Sequence, residues 1–369
     1  MSKEDVTIRA RVATIRRELN KKKIDCLVLT KPPNVTYVTG FSGDDSWAII
    51  TARMVYLLTD SRYTEQAQAE CSRCKIVERT KPITHAAAKM LQKLKSARTI
   101  HIEPSSSLST FQKLKRRTKA RLKTADGIIE AVRVAKDATE VIAIRSAARI
   151  ANRALRLVLP RIEPAITENE LAGALDFEIR RLGARNSFET IVAFGPNASR
   201  PHHQPGSRKL KTNDSILIDF GARYNGYCCD LTRCFVLGRP TAFYKKVYEA
   251  VRHAQDAAIE AIRPGVNVLQ VDDAARSVIK NAKLPVYGHG TGHGLGLEIH
   301  EGPVVSKEGK GKLEAGMVLT IEPGVYIPGK LGVRIEDDIL VTADGHKILS
   351  RKDSDEVELT VLSRTRRRN

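Results

Sequence analysis

The stretch from Ser215 to Leu237, SILIDFGARYNGYCCDLTRCFVL, restricts this chain more than any other. Two β-rich runs flank Asn225-Gly226, the pair favoured in a two-residue hairpin whose central residues need positive φ. Counting outward from that turn sets Tyr224 opposite Tyr227, Gly221 opposite Asp230 and Asp219 opposite Thr232. Side chains alternate along a strand, so Asp219 and Asp230 share one face as diagonal neighbours. Aspartates on an edge strand would simply face water, but the apolar Ile216–Ile218 and Cys234–Leu237 argue for burial. Two carboxylates on one buried face repel each other unless a cation lies between them. A β-bulge would undo the register and the inference with it.

Three further segments carry the residue types that such a cation needs. Tyr287–Glu301 reads YGHGTGHGLGLEIHE, with His289, His293 and His300 among five glycines. A single histidine is usually structural, but a cluster beside glycines suits ligation or proton transfer, since glycine lets the backbone approach closely. In VLTIEPGV, Glu322 ends an apolar run, and in GVRIEDDIL, Glu336 follows Arg334 on the same side of a strand, with Ile335 on the other. Either glutamate alone would read as a surface carboxylate. Together with the aspartates and one histidine they form an oxygen-rich donor set, which suits Mn²⁺ or Co²⁺ better than a thiolate-based zinc site. Four carboxylates can bridge two ions, and such a pair can acidify one shared water.

The rest of the chain divides into two. Its 369 residues suggest two domains. Residues 1–136 hold 28 Lys and Arg against 13 Asp and Glu, whereas 137–369 hold 34 against 29, which sets a boundary near 136. The first part alternates helical and strand patterns: helices at 6–21, 61–71 and 83–94, strands at 25–30, 46–51, 54–59 and 99–102. The second opens with Asp137 and Glu140 as a capping box for a helix to Leu159; Thr167 and Glu170 cap another that should stop at Gly183. Helices near 242–262 and 268–280, followed by strands, repeat the helix–helix–strands order and hint at pseudo-symmetry. The basic run Lys113–Lys123 reads as a solvated face, because no aromatic residues interleave it as in RNA-binding motifs. The basic tail 364–369 should fray. Six cysteines without an export signal make disulfides unexpected, and Cys71 with Cys74 supplies only half of a zinc site. The polar start and the lack of any apolar run near ~20 residues lead us to expect a cytoplasmic protein with no membrane association.

These motifs resemble the pita-bread metallopeptidases, in the branch of prolidase (Xaa-Pro dipeptidase) and aminopeptidase P. The resemblance rests on DFGARYNGYCCDLTR, HGTGHGLGLEIHE, IEPG and VRIEDD across roughly 190–340, and on NVTYVTGFSG and YLLTDSRY in the first half. It implies an α+β fold: an α/β creatinase/prolidase-like N-terminal domain at 1–136, a pita-bread catalytic domain at 137–363, then the tail. Methionine aminopeptidases typically lack the first domain, and creatinases lack the metal set. The family pattern implies Asp219, Asp230, His293, Glu322 and Glu336 as ligands of two divalent ions per subunit, Mn²⁺ or Co²⁺, with Zn²⁺ as the alternative. It further implies that a bridging hydroxide attacks the carbonyl before proline, with Glu322 handling the proton. His202 and His300 would face the scissile carbonyl, His289 would line the proline pocket, and Arg334 would hold carboxylates or substrate. His203 has no counterpart role. Where the family often has Ser before the second aspartate, this chain has Cys229; Cys228 and Cys229 are expected to be packing residues.

The expected function is therefore metal-dependent hydrolysis of proline-containing peptides, by an enzyme that the resemblance makes a homodimer. One alternative is a degenerate pita-bread protein that binds nucleic acid or protein, which the basic first half suggests and the complete ligand set opposes. Another is an amide hydrolase of altered specificity, which fold alone does not distinguish.

Overall fold

The computed structural model describes residues 3–94, 99–118, 120–351 and 360–362. They form two compact units, Met1–Arg133 and Val134–Asn369. The 364–369 tail lies outside the described residues.

The first unit is built on a six-stranded mixed sheet. Its central strand Cys26–Leu29 is fully buried and pairs antiparallel with Trp47–Thr51 and parallel with Thr99–Ile102. The helices Ile83–Lys93 and Leu108–Arg117 share one apolar cluster with this sheet. Several elements here were not foreseen. The helix Pro32–Thr39 begins with two prolines, which the first turn tolerates because its N–H groups have no intrahelical partner. The short elements Lys75–Glu78, Arg121–Thr124 and Ile128–Arg133 carry too few periodic residues to be read from pattern. The basic run straddles the end of the Leu108–Arg117 helix and the strand Arg121–Thr124. There Lys113, Lys115, Arg116, Arg117, Arg121 and Lys123 are exposed.

The second unit contains two helix pairs, each packed on its own strands. Ala138–Val158 and Glu168–Arg181 start at the expected capping boxes, Asp137 with Glu140 and Thr167 with Glu170. Gly183 follows the second helix with φ of 86°. Their apolar faces cover one side of the strands Ile191–Phe194, Ser215–Phe220 and Leu231–Leu237. Ala242–Glu260 and Val268–Asn281 join the other side of those strands and the sheet built on Val318–Ile321 and Asp337–Val341.

Alternation along the hairpin decides where the carboxylates go. Thr232 pairs with Asp219, Leu231 with Phe220, and Tyr224 with Tyr227, the register that the Asn225-Gly226 turn dictates. Ile216, Ile218 and Phe220 are fully buried against the first helix pair. Burying each contributes about 1.5–3 kcal/mol, so a one-residue slip is strongly opposed. The same packing turns Leu217, Asp219, Thr232 and Cys234 to the opposite face. Cys229 belongs to the apolar cluster, and Cys228 is also buried, as expected of packing residues. Among the described residues no helix is long and apolar enough to cross a membrane.

Candidate metal centre

Three of the five expected ligands sit just outside strand ends, where regular pairing stops and side chains can converge. Asp230 immediately precedes Leu231–Leu237, and Glu322 immediately follows Val318–Ile321. Glu336 lies between Leu331–Arg334 and Asp337–Val341, at an isolated bridge with Thr232. His293 occupies the short strand Gly292–Gly294. Only Asp219 is inside a longer strand. The two glycines beside His293 are obligatory: a Cβ on Gly292 would lie 1.8 Å from Thr320 O, and one on Gly294 1.9 Å from Gly302 O.

Asp219, Asp230, His293, Glu322 and Glu336 line one cavity of about 520 Å³, together with His202, His289, His300 and Arg334. One ligand atom from each of Asp230, His293 and Glu336 lies within 4.8 Å of the others. His293 donates from Nδ1 to Gly294 O at 3.0 Å, which leaves the Nε2 lone pair facing the carboxylates. Nε2 lies 3.6 Å from Asp230 Oδ2 and 3.5 Å from Glu322 Oε1, beyond ordinary hydrogen-bond length.

The electrostatics of this cluster call for a cation. Burial, then repulsion by Glu336, Asp219 and Glu322, pushes the Asp230 carboxyl well above its usual range. Glu336 is pushed up by burial and by Glu322 and Asp219. Glu322 is pushed up to about 7, chiefly by burial. Burial holds His293 and His289 near 4, so both rings are neutral at pH 7. Among the described residues the buried Asp219 Oδ1 has no hydrogen-bond partner. An ionised oxygen buried without a donor is costly, so the donor set fits a divalent cation.

Among the described residues that line the cavity, Arg334 is the one Lys or Arg, and its bonds tie several groups together. It donates to Asp219 Oδ2 at 2.5 Å, Thr232 Oγ1 at 3.1 Å, Tyr326 Oη at 2.8 Å and Pro201 O at 3.3 Å. Tyr326 passes its own hydrogen to His289 Nε2 at 3.0 Å, because His289 Nδ1 donates to Gly290 O. His202 and His300 are exposed to the cavity, and the His300 ring lies 4.4 Å from that of His293. His203 also borders the cavity, but its ring is held by a carboxylate. It is buried against Glu168, whose carboxylate also accepts from Phe194 N, Asn197 Nδ2 and Gly206 N. That network anchors the loop on which His202 stands.

Residue patterns missed the supporting polar groups. Thr320 accepts from His293 N and lies 3.4 Å from Glu322 Oε1. Tyr326 had no signal beyond its strand. Thr232 was placed opposite Asp219 by register, but its bond to Glu336 joins residues that the hairpin alone does not relate.

Comparison with known proteins agrees with this geometry. Residues 142–343 match metallopeptidase family M24, and 11–135 match the creatinase/prolidase N-terminal domain. The uncharacterized peptidase YqhT of Bacillus subtilis is 35% identical over 91% of this chain and 96% of its own length. Among solved structures, an Xaa-Pro dipeptidase from Bacillus anthracis superposes with a TM-score of 0.91 at 33% identity, covering 96% of this chain and 100% of that one. An X-Pro aminopeptidase from Thermotoga maritima gives 0.86 at 33% identity, covering 94% and 100%. Both the N-terminal domain and the α+β pita-bread architecture implied by the motifs are therefore present.

Proposed function

We propose that this chain, which belongs to metallopeptidase family M24, hydrolyses the bond between an N-terminal residue and proline. What supports this most is the convergence of the five expected ligands on one cavity that also leaves Asp219 Oδ1 without a partner. Asp219, Asp230, His293, Glu322 and Glu336 would hold two divalent ions, Mn²⁺ or Co²⁺ by the hardness of the donors. Bound there, such ions supply an acidified water as nucleophile and positive charge beside the carbonyl oxygen.

The chain's own groups do the rest. Glu322 carries the proton between the attacking water and the leaving nitrogen. Arg334 fixes Asp219 and, through Tyr326, the His289 ring. His202 and His300, exposed on the cavity wall, donate to the carbonyl oxygen as charge develops there. Proline offers no amide hydrogen, so selection rests on shape, for which Phe188, Ile299 and Val304 provide apolar wall.

The test uses protein loaded separately with Mn²⁺, Co²⁺ and Zn²⁺ and the peptides Ala-Pro, Ala-Pro-Ala and Ala-Ala-Ala. Release of alanine from Ala-Pro alone makes it a dipeptidase, and release from Ala-Pro-Ala an aminopeptidase. Cleavage of Ala-Ala-Ala alone, or of none, removes the proline assignment.

A further inference from the structure

The segment between the Val268–Asn281 helix and the strand that carries His293 has little to hold it by itself. It contains Gly288 and Gly290, and glycine leaves the backbone free to move. Yet its position sets both His289 and the start of the His293 strand.

Two residues one turn apart on the helix grip this segment. Arg276 donates from Nη1 to Tyr287 O at 2.8 Å and from Nη2 to His289 O at 2.6 Å, so one planar guanidinium spans the residues on either side of Gly288. Its third bond, from Nε to Asp272 Oδ2 at 2.7 Å, fixes the fork. The guanidinium carbon also lies 4.4 Å from the Tyr287 ring centroid. The other oxygen of Asp272 accepts from Thr291 Oγ1 at 2.6 Å. Since that hydroxyl has one hydrogen, Tyr287 Oη is the donor in its 2.6 Å contact with Thr291. Asp272 and Thr291 are buried, so neither bond competes with bulk water.

Thr291 then reaches the catalytic side. Its carbonyl accepts from Glu322 N at 2.8 Å, and its N–H donates to Val305 O at 2.7 Å. A single fully buried threonine thus connects the helix clamp to the backbone of Glu322, the residue just after the Val318–Ile321 strand.

We infer that Asp272 and Arg276 are positioning residues that set His289 and Glu322 together, through the 287 and 289 carbonyls and through Thr291. Neither lines the cavity. Lysine at 276 keeps the charge but cannot reach two carbonyls and Asp272 at once, so it releases the segment without removing a buried cation's charge. The kinetic consequence rests on the peptidase reading above; the structural consequence does not.

The experiment compares wild type with Arg276→Lys and Asp272→Asn, the second covering the case in which the first fails to fold. Hydrogen exchange is followed at the amides of 288–292 and Glu322, with Mn²⁺ binding by calorimetry and the kinetics of Ala-Pro cleavage alongside. We expect Arg276→Lys to raise exchange at 288–292 about tenfold or more while the melting temperature stays within about 3 °C. Its KM for Ala-Pro should rise about tenfold, with kcat and Mn²⁺ affinity within about threefold. Asp272→Asn should also expose the Glu322 amide and lower kcat. Unchanged exchange at these amides overturns the inference. So does a uniform rise across the second unit with a matching fall in melting temperature, which would make the pair a general brace. If wild type cleaves no Xaa-Pro peptide, the peptidase reading fails and the exchange result still decides the clamp.

Discussion

Thr232 Oγ1 donates to Glu336 Oε2 at 2.6 Å, joining the start of one strand to a carboxylate 104 residues further along. The same hydroxyl oxygen accepts from Arg334 Nε, so one small side chain orients a proposed ligand and completes the guanidinium's bonds. Thr232→Val keeps the shape and removes both bonds. We expect a loss of about 10- to 100-fold in Mn²⁺ affinity or in activity. Unfolding free energy should fall by about 1–3 kcal/mol, because Arg334 Nε is left buried without an acceptor. Calorimetric titration and urea unfolding measure the two effects.

Arg334→Lys should be severe. A lysine ammonium cannot serve Asp219, Thr232, Tyr326 and Pro201 O from one plane. Activity on Ala-Pro is expected to fall at least about 100-fold in kcat/KM. Activity retained within about threefold would mean that Asp219 is held by something else.

Metal should stabilise the fold. Three buried carboxylates and the half-buried Glu322 repel one another, and a cation that binds only the folded state removes that repulsion. The melting temperature of chelator-treated protein should therefore climb with added Mn²⁺ and continue to rise above the dissociation constant. A melting temperature indifferent to Mn²⁺, Co²⁺ and Zn²⁺ alike would refute the metal site.

Glu168 gives a pH signature. Burial pushes its carboxyl up, but the bonds from His203, Asn197 and Phe194 N outweigh this and hold it below the usual glutamate range. A depressed folded value means that the stabilisation is complete above the unfolded value of about 4.3 and is lost as pH falls through the lower folded one. Glu168→Gln should then cost about 1–3 kcal/mol at pH 7 and much less at pH 3. Equal costs at both pH values would show that the carboxylate charge plays no part.

Thiol labelling separates packing cysteines from reactive ones. Cys26, Cys71, Cys228, Cys229 and Cys234 are buried, and Cys74 is partly exposed. Burial pushes Cys228 up to about 11, which keeps it a thiol, whereas a hydrogen bond from Cys71 lowers Cys74. A maleimide should therefore modify Cys74 first in the native protein. Labelling of Cys228 or Cys229 at a similar rate, located by mass spectrometry, would contradict the packing role.

The parts of this fold that depend on near neighbours were legible in the sequence. The Asn225-Gly226 turn determines the pairing of Asp219 with Thr232, and the capping boxes mark where two helices begin. The proposed ligands could be singled out because charged residues at apolar strand positions are conspicuous. What could not be read are bonds between distant segments. Arg334 meets Pro201 O, Asp272 meets Thr291, and His203 meets Glu168, with no periodicity or spacing to link them. His203 looked like a spare neighbour of His202 because its partner belongs to a helix 35 residues earlier.

Gly292 and Gly294 leave no room for even a methyl group on either side of His293. In a saturation scan this three-residue column should behave as a single locked word, the flanking letters as intolerant as the histidine itself. Selection for a different metal or a different peptide would therefore have to work around it, through the wall at half-buried Ile299 and exposed Val304, since the histidine's own strand offers no viable intermediate.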